Sequence, residues 1–145
     1  MSLSNKKWPG ISIPEEDRDL INRISQQDGV LNGADTKDIL MIAASLATKA
    51  DAPEIVPATS RSIDTISPGN LSGYNEYRQY IALIYYRTAG KGDLNAMSDP
   101  KVMINNFVDY ARRGLQMLKT SYLESPDGSE KMEEMFIEHL SGVNR

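Results

Sequence analysis

The chain has 145 residues, 40% apolar and 25% charged, with 20 acidic against 16 basic side chains and a net charge of −4. These are the proportions of one globular domain, and the negative balance argues against bulk non-specific nucleic-acid binding through counterion release. The absence of cysteine excludes a disulfide scaffold, a thiol nucleophile and thiolate metal sites, and the single histidine, His139, excludes a multi-histidine metal centre.

Residues 1–13 read as an arm, pinned to the body by Trp8 and Pro9. They carry two lysines but no apolar run of the kind a secretory signal needs. From Pro14 onward a single helical domain is expected to 145. Its first helix, PEEDRDLINRISQQDG, has Glu15, Glu16 and Asp17 at the positive end of the dipole. Leu20, Ile21 and Ile24 form its apolar stripe, and Gly29 marks its exit. A second helix starts at Asp35 or Thr36 and runs to about Ala50. Its many apolar positions predict burial on most sides, with Ala43, Ala44 and Ala47 letting neighbours approach closely.

Residues 53–73 hold three prolines and two glycines with no helical period and read as one long connection, anchored at most by Ile63 and Ile66. Tyr74 to Thr88 reads as a third helix packing Tyr77, Ile81, Ile84 and Tyr85, and AGKGD breaks it. Lys91 follows a helix there and precedes Gly92 and Asp93, so the string is a terminator and not a phosphate loop. Leu94 and Met97 then form a short turn. A long helix follows from Asp99 and Pro100 to Leu123, with Ile104, Val108, Ala111, Leu115, Leu118 and Tyr122 at steps of four and three. A final helix from Gly128 or Ser129 to Leu140 turns Met132, Met135, Phe136 and Leu140 inward. No alternation persists long enough to predict a sheet, so the fold class expected is an all-α bundle of about five helices.

The candidate binding surface has two parts. Arg112, Arg113 and Lys119 form a basic stripe on the long helix, suited to phosphate or an acidic protein. Asp109, three and four residues before the arginines, has the spacing of an intrahelical ion pair with them. Gly114 costs about 1 kcal/mol relative to alanine inside a helix, which predicts either a kink or a second backbone packed against it. The other part is Tyr74 and Arg78, within the run of tyrosines at 74, 77, 80, 85 and 86 interleaved with Arg78 and Arg87. Such a run can stack on bases, but its packed face is accounted for by the core. His139 reads as a helix-end histidine, and Glu133, Glu134 and Glu138 as a solvated acidic face.

The order TKDILMIAASLATK, a Pro-rich connection, an apolar helix, a DLN segment, then NNFVDYARRGLQMLK resembles the small proteins associated with bacterial and archaeal DNA-phosphorothioation (Dnd) systems. Lys37, Asp38, Ala43 and Ala44, then Tyr110, Ala111, Gly114 and Leu115, carry the resemblance. It implies a setting of DNA sulfur modification or the accompanying restriction, with no known catalytic activity and no functional residue carried over.

The expected function is therefore that of a non-enzymatic accessory or interaction protein. A protein partner is expected, DNA is a candidate partner through the basic stripe, and homo-oligomerisation is open. The alternatives are a self-associating helical scaffold and a small hydrolase or nuclease built from dispersed Asp, Glu and Lys. No catalytic residue, cofactor or metal is assigned, and no membrane span is expected. The expected compartment is the cytoplasm.

Overall fold

The computed structural model describes residues 7–49, 52–90 and 99–124, together with Glu134 and Ile137. The Leu94–Met97 turn, His139 and the inward residues of the final helix lie outside the described residues, as does most of the acidic segment.

In chain order the elements are β1 (Ile11–Pro14), α1 (Glu15–Gln26), α2 (Thr36–Ala47), β2 (Ser62–Ile66), α3 (Pro68–Gly73), α4 (Asn75–Arg87) and α5 (Pro100–Leu118). A π-helical turn, Lys119–Leu123, continues α5. The fold is mostly helical but not all-α. Ile11–Ile13, expected to be arm, and Pro14, expected to open the first helix, pair antiparallel with Ser62–Ile66 from the middle of the supposed connection. Each strand is too short to show a period of two. Ile11 and Ile13 are nonetheless fully buried, and Ile66 nearly so, so the pairing is selected by core burial and not by local alternation. The connection also contains α3, which the absence of a helical period concealed. It is a single capped turn and a half in which Ser67 accepts from the Asn70 amide at 3.1 Å and Pro68 takes the first position.

Local signals account for the other helices. Asp99 Oδ1 accepts from the Lys101 amide at 3.0 Å and opens α5. Leu20, Ile21 and Ile24 are the buried stripe of α1, and the turn after it passes through Gly33 in the left-handed region at φ 77°. Trp8 is buried in the core and anchors residues 7–10 ahead of β1.

The core is organised by α2 against α5. In α2, Ile39, Leu40, Ala43, Ala44, Leu46 and Ala47 are buried, whereas Met41 and Ile42 are only partly covered. The buried face of α5 is Met103, Ile104, Phe107, Ala111, Gly114, Leu115 and Leu118, continued by Tyr122. It is rotated from the expected seam, because Val108 is only half-buried while Met103 and Phe107 are fully covered. Gly114 explains the rotation: a Cβ built there would overlap the carbonyl oxygen and carbon of Ala43. The two backbones meet at that point, and α5 must turn its side chain-free position toward α2. In the π turn the Glu124 amide bonds Lys119 O at 3.0 Å. Tyr122 is buried there, with its hydroxyl accepting from the Leu31 amide at 3.4 Å.

Candidate functional site

The structure places three of the five candidate binding residues on α5, where it internalises Arg112, puts Tyr74 at the α2–α4 seam and leaves Arg78 outside both. Arg112 Nε donates to Asp17 Oδ2 at 2.6 Å, and its Nη2 donates to the Val56 carbonyl at 2.7 Å. The pair joins α5 to α1 and is largely withdrawn from water, with side-chain exposures of 13% for Arg112 and 4% for Asp17. Burial pushes the Asp17 carboxyl above its ordinary value, and Arg112 opposes the shift. Asp109 is thus not the partner of Arg112, and among the described residues it forms no ion pair. The α-helical spacing was favourable, but Asp17 offers a buried acceptor that an exposed carboxylate does not match.

Lys119 Nζ lies 3.8 Å from Glu124 Oε1, with both groups well exposed. Arg113 directs its guanidinium 5.4 Å from the centroid of the Tyr110 ring, and its Nε is buried with no hydrogen-bond partner among the described residues. Glu16, Asp17 and Asp19 share a concavity of about 210 Å³ with Arg23, Arg112 and Lys119. Three acidic and three basic side chains line it, so it presents no uniformly positive field to a phosphate backbone.

Tyr74 belongs to a second region, the seam between α2 and α4. The first turns of both helices line a concavity of about 480 Å³ at one end of the seam. Their last turns line another of about 240 Å³ at the other end. The helices therefore run side by side in the same sense. Tyrosines bridge them: the Tyr77 hydroxyl donates to Lys37 O at 2.8 Å, and the Tyr80 hydroxyl is hydrogen-bonded to the Ser45 side chain. Tyr77 also meets Phe107 edge-on, with centroids 5.7 Å apart, and burial drives its phenol far above the ordinary range. Tyr77 is a structural residue.

Lys37 Nζ contacts Asp38 Oδ1 at 3.1 Å and lies 5.6 Å from the Tyr74 ring centroid. The Asp38 bond raises the Lys37 pKa. At the far end Leu83 is 49% exposed, and exposed Arg87 makes no ion pair among the described residues. Arg78 lies about 100° around α4 from Tyr77, on the flank away from Tyr80 and Arg87, where its Nη2 donates to Asn75 Oδ1 at 3.3 Å. It does not line the seam.

Sequence reading missed that Lys37 and Met41 line one concavity with Tyr74, and Leu83 and Arg87 another with Tyr80. Tyr80 and Arg87 were visible in the tyrosine–arginine run, but only packing shows which of its members face α2. Among the described residues there is no cluster of three or more His, Asp or Glu placed to hold a metal ion. No described helix is long and apolar enough to cross a membrane. The chain matches no protein-family model, no curated protein and no solved structure.

Proposed function

We propose that the chain is a non-enzymatic interaction module that receives an amphipathic helix of a partner protein along the α2–α4 seam. The observation that carries this reading is the makeup of the seam. Met41, Tyr74 and Tyr80 are only partly buried, Leu83 is exposed, and at the end Arg87 forms no ion pair among the described residues. Tyrosine, methionine and arginine are the side chains enriched where proteins bury each other's surfaces. The seam follows a 12-residue helix, roughly 18 Å at 1.5 Å per residue, which fits about three turns of a partner helix. Arg87 calls for a carboxylate on that helix near Leu83. The resemblance to DNA-phosphorothioation accessory proteins supports seeking the partner in a DNA-modification or restriction complex. With Arg112 paired to buried Asp17 and Lys119 beside Glu124, the basic stripe does not favour direct DNA contact.

The test is cross-linking and copurification of the full chain from its own cells, compared with Leu83→Asp, Arg87→Glu and Lys119→Ala. A partner held by the parent and by Lys119→Ala, but lost with Leu83→Asp and weakened with Arg87→Glu, supports the proposal. A partner retained by both seam variants overturns it. So does sedimentation showing a dimer that Leu83→Asp dissociates, because a second copy would then occupy the seam.

A further inference from the structure

Residues 52–61 cross the molecule between α2 and β2 without burying a single side chain. They are nevertheless fastened at three points, one of them the Arg61 carbonyl beside β2, which accepts from the Glu15 amide at 2.9 Å. Glu16 Oε1 accepts from the Thr59 amide and Glu16 Oε2 from the Thr59 hydroxyl, each at 2.6 Å, while Ser60 Oγ accepts from the Glu16 amide at 3.0 Å. These bonds hold the Glu16 carboxyl below its ordinary value. Closer to the middle of the segment, the Val56 carbonyl accepts from Arg112 Nη2 at 2.7 Å. Val56 is also one wall of the concavity that holds Asp17 and Arg112. The segment thus lies over the only ion pair among the described residues that is largely withdrawn from water.

We propose that residues 52–61 are a strap that opens and closes as a unit over the Asp17–Arg112 pair, with Glu16 as its latch. A segment held by exposed polar contacts and no buried apolar group belongs to the low end of local stability, whereas α2 and α5 are held by the core. Opening requires no movement of those helices. Closed, the strap satisfies Arg112 Nη2 and walls the concavity with Val56. Open, it leaves Nη2 without that acceptor and removes the wall, so the strap controls access to Arg112.

Amide hydrogen exchange on the full chain tests this. The Thr59 and Ser60 amides are expected to exchange at least 100-fold faster than those of Ala43 and Ala44. Glu16→Ala should accelerate the strap roughly tenfold further and leave α2 unchanged. Thr59→Val, which removes only the hydroxyl latch, should give a smaller acceleration in the same direction. Strap amides that exchange at the α2 rate in the parent overturn the proposal, as does a Glu16→Ala change that is absent or shared equally by α2. Should Glu16→Ala not fold, an unaltered strap in Thr59→Val overturns it.

Discussion

Replacing Gly114 by alanine isolates the contact that sets the α2–α5 packing. In an unencumbered helix the change should stabilise by about 1 kcal/mol, since alanine restricts the unfolded chain and has the best helix propensity. Here the new Cβ would overlap the Ala43 carbonyl. Neither group can rotate away, because both belong to helix backbones, so α5 and α2 must separate. That movement loosens the fully buried contacts of Leu40, Ala43, Phe107, Ala111 and Leu115. Overpacking of a tight core costs roughly 1–3 kcal/mol, occasionally more, and a backbone clash that no rotamer relieves belongs at or just beyond the upper end, about 3–4 kcal/mol. After the propensity gain is deducted, a net loss of about 2–3 kcal/mol is expected. At 2–4 °C per kcal/mol for a chain near this size, Tm should fall by roughly 4–12 °C. Urea denaturation should show a lower midpoint with an unchanged slope. Ala43→Gly should not rescue the variant, because the obstacle is the carbonyl and not the methyl. A Gly114→Ala protein as stable as its parent, or more stable, would refute the reasoning.

Asp17→Ala leaves Arg112 partly buried without its carboxylate and should cost about 2–4 kcal/mol, somewhat below a fully buried pair because Arg112 retains some exposure. Adding Arg112→Leu should restore part of that loss, and a double-mutant cycle by urea unfolding measures the coupling; additive losses would mean that the pair is not coupled. Tyr122→Phe removes the hydroxyl that accepts from the buried Leu31 amide and should cost roughly 1–2 kcal/mol, measured the same way. The two neighbouring carboxylates predict opposite pH dependences. Glu16, with its pKa lowered on folding, contributes stability above its ordinary value of 4.5 that is lost as pH falls through the folded value. Asp17, with its pKa raised, contributes stability below its ordinary value of 3.8 that is lost as pH rises through the folded value. The stability difference between the parent and Glu16→Gln should therefore shrink on acidification, and a difference that grows would contradict the assignment.

The four long helices within the described residues were legible because their causes are local. Asp99 and Pro100 start α5 whatever surrounds them, and Leu20, Ile21 and Ile24 share a face by the geometry of one turn. Gly114 was legible as an anomaly: a helix carries that cost only for a kink or for a close neighbour. Which neighbour, and how far it rotates the buried face from Val108 toward Met103 and Phe107, depends on where the Ala43 carbonyl lies. Only the assembled core contains that information. The same division runs through the candidate site. Arg112 read as a surface cation, either paired with Asp109 within its helix or part of a binding stripe, because its actual partner is 95 residues away and meets it only after α1 packs on α5. Burial of Asp17 then makes that contact preferable to the adjacent Asp109. The two strands, each too short to carry a period, and the α2–α4 seam, built from residues on separate helices, were likewise decided by tertiary packing. One-dimensional spacing records which residues share a face of one helix. It cannot record which faces of different elements are closed against each other and which are left open.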